Sequence, residues 1–109
     1  MKTFVTIKVP LDFVTRPANQ SVIESQMAQF ECTVNKPLAT IFWTFTQQGT
    51  NTSTPLSDQE EEFSISTSSS SSTLTVLVTV FSEHVGLYTC VVMNGNQSIS
   101  SSASLDIQS

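Results

Sequence analysis

Apolar and polar residues alternate with a period of two along most of this chain, the signature of half-buried β-strands. In Ala28-Gln29-Phe30-Glu31-Cys32-Thr33-Val34 every second residue is apolar. Ile41, Trp43 and Phe45 share one face of the next segment, with Thr40, Phe42 and Thr44 on the other. Tyr88, Cys90 and Val92 alternate with Thr89, Val91 and Met93. Near the end, Ile99, Ala103, Leu105 and Ile107 keep one parity against Ser98, Ser100, Ser102, Ser104 and Asp106. Asn94-Gly95 lies between these last two segments and predicts a hairpin, because both residues tolerate positive φ.

Two stretches break the alternation. The serine run Ser68–Ser72 predicts a loose turn, since strand-like segments flank it at Phe63-Ser64-Ile65 and Leu74–Val78. Gln47–Gln59 is rich in Thr, Ser, Asn and Pro and predicts an irregular connection with room for a short edge strand. No helical period of useful length appears. Seven to nine strands in a chain of 109 residues make an all-β sandwich the economical architecture.

Composition supports one ordered domain. Apolar residues are 39% of the chain, enough with seven Phe, one Tyr and one Trp to fill a modest core. Ser and Thr together number 33, and charged side chains are only 12%, which suits strands with hydroxyl-bearing outer faces. The four basic residues, Lys2, Lys8, Arg16 and Lys36, all lie in the first third. From Pro37 onward there are carboxylates at Asp58, Glu60, Glu61, Glu62, Glu83 and Asp106 and no Lys or Arg. With a net charge of −5, nucleic acid and anionic membrane surfaces would be repelled. No 18-residue apolar span exists to enter a bilayer. Met1-Lys2-Thr3 opens without a secretory apolar core, so residues 1–109 read as a single domain of a longer ectodomain, preceded by an initiating Met.

Cys32 and Cys90 occupy the buried parity of two strong strands, where packed sheets about 10 Å apart let side chains meet. A disulfide is expected; two free buried cysteines are the alternative. Closing so long a loop would stabilise by roughly 4 kcal/mol in the chain-entropy argument. Two cysteines alone exclude a disulfide-dense miniprotein and a four-cysteine zinc site, and no cofactor is expected.

Cys32, Trp43 eleven residues later, Gly86-x-Tyr88-x-Cys90 and the final Ala103-x-Leu105-x-Ile107 resemble the immunoglobulin superfamily. Val22, Ile23 and Glu24 resemble its early edge strand, and the similarity covers essentially the whole chain. The short span from Trp43 to Phe63 is closest to the intermediate, I-set type of cell-surface receptors and adhesion proteins. The resemblance implies two antiparallel sheets with Greek-key connections and an inter-sheet Cys32–Cys90 disulfide. It also implies a structural core at Trp43, Gly86, Tyr88 and Leu105, with a tyrosine corner at Tyr88.

Two positions depart from the family pattern. Such domains usually carry Asp four residues before the tyrosine, where this chain has His84. The usual charge bridge across the bottom of the sandwich is therefore expected to be absent. Family spacing also favours Leu77 as buried, whereas simple alternation favours Leu74 and Val76; a bulge or an early strand end would reconcile them.

The sequence argues against catalysis. His84 is the one histidine, and its neighbour Glu83 would point away from it on a strand. Asp58, Glu60, Glu61 and Glu62 lack the spacing and glycine of a calcium loop. Sequons at Asn19, Asn51 and Asn96 are candidate N-glycosylation sites and, with the disulfide, place the chain at the cell surface or in secretion. The outward parity of the Trp43 and Cys90 strands presents Phe42, Val91 and Met93 with Thr40, Thr44 and Thr89 around them. That face is the candidate site for a protein partner, either a second copy or another immunoglobulin-like domain, in an adhesion or receptor module. A spacer domain with no ligand of its own is the second reading, and an intracellular structural domain the third.

Overall fold

A computed structural model describes residues 10–57 and 60–108. Asp58 of the acidic run, and the early Lys2 and Lys8, lie outside the described residues. Among the described residues nine strands follow in order: β1 (Phe13–Thr15), β2 (Gln20–Ile23), β3 (Ala28–Val34), β4 (Thr40–Gln47), β5 (Ser53–Pro55), β6 (Phe63–Thr67), β7 (Ser71–Val76), β8 (Gly86–Asn94) and β9 (Gln97–Gln108). A single helical turn, α1 (Phe81–His84), precedes β8.

The strands form two sheets, ordered β1-β3-β7-β6 and β2-β9-β8-β4-β5. Connections β1–β2, β2–β3, β3–β4, β5–β6 and β7–β8 cross between them, as a Greek-key sandwich requires. All pairs are antiparallel except β2 with β9, which run parallel from Gln20↔Leu105 to Ile23↔Gln108. The β2–β9–β8 edge thus seats an early segment directly against the last strand.

The alternation in sequence becomes the two sides of each sheet. Phe30, Cys32, Trp43, Leu74, Val76, Tyr88, Cys90, Val92, Leu105 and Ile107 fill the interior. Cys32 and Cys90 are bonded across it, with Cα atoms 6.5 Å apart. Trp43 stands opposite Cys90 in the β4–β8 ladder. Its indole N–H donates to Ser72 Oγ at 2.9 Å, and Ser72 also bonds the Thr67 hydroxyl at 2.9 Å. The serine run is therefore only partly a turn. Ser71 and Ser72 belong to β7, and Ser72 is buried because the tryptophan needs an acceptor inside the sandwich.

Alternation decides the ambiguous strand. Leu74 and Val76 are buried, β7 ends at Val76, and Leu77 and Val78 are exposed. The chain then turns so that buried Thr79 exchanges hydrogen bonds with the β2–β3 turn: its N–H and hydroxyl donate to Gln26 O, and its carbonyl accepts from Ser25 N–H. The hairpin turn is also displaced by one residue. Asn94 pairs with Gln97, so Gly95 and Asn96 form the two-residue loop, and only Gly95 has positive φ, at 60°.

Candidate functional site

Three adjacent strands build the candidate face. In register across β4, β8 and β9, the outward residues form four rows: Thr40, Met93, Ser98; Phe42, Val91, Ser100; Thr44, Thr89, Ser102; Thr46, Leu87, Ser104. None of these side chains is charged. Phe42 is 37% exposed and Met93 41%, with Val91 half-buried between them. Phe42 and Val91 are direct cross-strand partners, so the predicted patch is brought together as expected. Thr44 sits in the next row beside Thr89.

The same geometry adds residues that pattern reading left out. Leu87 is exposed and lies on the Thr89–Val91–Met93 parity, and the serine column of β9 completes every row. Parity alone could have found Leu87; joining the serines to the face needed the β8–β9 register. Several hydroxyls are already partnered within the sheet. Thr89 bonds Ser102 at 2.7 Å, and Thr46 bonds Ser53 of β5 at 2.8 Å. Such lateral pairs lower the desolvation cost of covering the face, because these hydroxyls keep their partners when water leaves. At the basal margin an open hollow of about 410 Å³ is lined by Gln47, Gly49, Val85, Leu87 and Leu105, with Asp106 its one carboxylate.

At the lower end of the sandwich an imidazole–carboxylate hydrogen bond stands in place of the usual charge bridge, with donor and acceptor exchanged. His84 is 2% exposed. Val80 N–H donates to its Nδ1 at 2.8 Å, which leaves the ring proton on Nε2, 3.2 Å from Glu62 Oε2. The imidazole is thus the donor and the strand-side residue the carboxylate. Phe63 packs edge-on against the ring, with centroids 5.8 Å apart. The His84 carbonyl accepts the Tyr88 hydroxyl at 2.7 Å, so the tyrosine corner is present. Burial, and secondarily the Glu62 charge, push the Tyr88 phenol well above its ordinary range. Tyr88 is further clamped by Phe30 and Phe45, with centroids 5.0 and 4.6 Å away.

The remaining sequence candidates separate. Asn19, Asn51 and Asn96 are all exposed, respectively before β2, between β4 and β5, and in the β8–β9 turn. Asn19 Oδ1 accepts the Ser104 N–H at 2.9 Å, leaving its side-chain nitrogen clear of that bond. Glu83 points away from His84, though on a helical turn rather than a strand. Among the described residues, no group of three or more His, Cys, Asp or Glu side chains is placed to hold a metal ion. No helix there is long and apolar enough to cross a membrane.

Comparison with known proteins agrees with this geometry. The family profile described as immunoglobulin domain matches residues 12–94. No curated protein matches the chain. Among solved structures, titin M4 superposes with a TM-score of 0.76 at 22% identity, covering 94% of this chain and 100% of that one. The titin M10–obscurin-like 1 immunoglobulin complex gives 0.73 at 19% identity, covering 90% and 93%. The N-terminal Ig1-2 module of the Drosophila receptor protein tyrosine phosphatase DLAR gives 0.75 at 24% identity, covering 91% of this chain and 49% of that one. At these identities the likeness establishes the fold, shared by titin and a receptor protein tyrosine phosphatase alike.

Proposed function

The chain belongs to the immunoglobulin domain family, and on that footing we propose that it is a non-catalytic recognition module whose β4–β8–β9 face binds a protein partner. The partner is a second copy or another immunoglobulin-like domain. One observation carries the reading: a chain of net charge −5 presents four full rows of outward side chains without a single charge. A merely solvated sheet face has no reason to exclude Lys and Glu, whereas the cores of protein interfaces are depleted in them. Phe42 and Met93 supply the apolar anchors.

The size of the face sets the strength. Four rows span about 25 Å and three strands about 14 Å, giving roughly 350 Å². Stable complexes usually bury about 800 Å² per partner, so this contact is weak and reversible. Such pairing suits adhesion or receptor contacts made by many copies at once. The Cys32–Cys90 bond and the exposed sequons at Asn19, Asn51 and Asn96 support an extracellular setting, in which residues 1–109 form one domain of a longer ectodomain.

Sedimentation of the wild-type chain and of Phe42→Arg across concentration tests the homophilic form. The expected result is reversible mass growth in the wild type that weakens in the variant, with near-ultraviolet dichroism unchanged. Association unchanged by Phe42→Arg refutes the homophilic form of the face.

A further inference from the structure

The two ends of the sandwich are unlike each other. At the end carrying the β3–β4 and β8–β9 turns, Leu38 is 86% exposed and adopts φ 60°, a left-handed conformation unfavourable for a leucine. Its neighbours hold it there. Pro37 O accepts Asn94 Nδ2 at 3.2 Å, and Ala39 N–H donates to Ser69 O at 2.9 Å. Lys36 lies beside it, with its ammonium steadied by Gln97 Oε1 at 3.4 Å and further donors to spare. The result is an apolar finger with a cation at its base.

The opposite end has the complementary character. Leu77 and Val78 are exposed where β7 stops early, and with Val80 and His84 they line a hollow of about 260 Å³. Glu61, Glu62 and Glu83 border the same hollow. Both described basic side chains, Arg16 and Lys36, lie elsewhere, Arg16 paired with Asp12 and Lys36 at the far end.

We propose that the Leu77–Val78 hollow receives the Lys36-Pro37-Leu38 loop of a second copy, joining domains head to tail. Leu38 fills the apolar floor, and Lys36 meets the carboxylate rim. Charge favours this arrangement over a side-by-side parallel one, which would set two acidic ends together. Head to tail, the acidic ends of successive copies are about 40 Å apart along a strand of β9's length, several Debye lengths at physiological salt. The contact is heterologous, so it leaves one finger and one hollow free and extends into short strings rather than closing a ring. It uses neither Phe42 nor Met93 and stands apart from the sheet-face contact.

The test uses the full chain made without glycans, so that the Asn96 turn beside the finger stays bare. Leu38→Asp and Val78→Asp alter exposed positions, and near-ultraviolet dichroism confirms their folding. In sedimentation equilibrium at high protein concentration, with the sheet face silenced by Phe42→Arg/Met93→Ser in every chain, the otherwise unaltered chain is expected to exceed dimer mass while Leu38→Asp or Val78→Asp leaves it monomeric. An equimolar mixture of the two variants should recover association but stop at the dimer, because one supplies only a finger and the other only a hollow. A face-silenced chain monomeric throughout, a single variant that still associates, or a mixture that does not pair would each overturn the proposal.

Discussion

The reversed bridge at the base of the sandwich makes a sharp prediction for His84→Asp, the change that restores the usual family residue. An aspartate could still accept the Val80 N–H, so the turn itself keeps an acceptor. It would lose the donor that now faces Glu62 and set two carboxylates against each other. At about 5 Å and an effective dielectric near 20, two unit charges repel by roughly 3 kcal/mol. Glu62 is half exposed, which screens that figure to about 1–2 kcal/mol. Loss of the edge-on contact with Phe63 adds about 0.5–1 kcal/mol. The variant should therefore lose about 1.5–3 kcal/mol of unfolding free energy in urea at neutral pH, with an unchanged slope. Adding Glu62→Arg in the same chain should recover most of it, because the introduced arginine faces a carboxylate. In the wild-type background the same Glu62→Arg should destabilise, since it opposes an N–H donor. A cycle whose two Glu62→Arg effects share one sign would refute the reversed polarity, as would a His84→Asp chain of wild-type stability.

Two further substitutions test the interior that positions the face. Ser72→Ala should cost about 1–3 kcal/mol by leaving the buried Trp43 N–H without an acceptor; the cost should shrink in a Trp43→Phe background, and equal costs in both would show that the bond contributes nothing. Gly86→Ala should lower stability by more than about 3 kcal/mol, because a Cβ there collides with the Thr46 carbonyl and sits 2.9 Å from Phe45 Cε1, which only a parting of β4 from β8 relieves. A thermal melt within a few degrees of wild type would contradict that geometry.

Period-two alternation was enough to place Cys32, Trp43, Tyr88, Cys90 and Leu105 inside and Phe42, Val91 and Met93 outside, because a strand can turn a side chain only one way or the other. What it could not supply were contacts set by distant register. Ser72 reads as one of five equivalent serines until Trp43 is known to lie above it. Glu62 reads as one of a solvated acidic run until β6 brings it to His84. The end of β7 at Val76 follows from the Thr79 bonds to the β2–β3 turn, an interaction across more than fifty positions. Candidate face residues were legible where parity carried them, and the serine column was not, because serines on an outer face look alike whether or not they complete a site.

Covalent topology gives the disulfide a further meaning. The Cys32–Cys90 link encloses β4 to β7 in one closed loop, while β1, β2 and the whole of β9 lie outside it. The strand that contributes one side chain to every row of the face is thus tethered only at its turn, and otherwise held by the packing of Ala103, Leu105 and Ile107. An oxidised chain can open at β9 without breaking a bond, taking β2 with it. Amide exchange in β9 should then run ahead of exchange in β3 and β8, and the lifetime of the face will follow the unlinked strand rather than the sulfur bond.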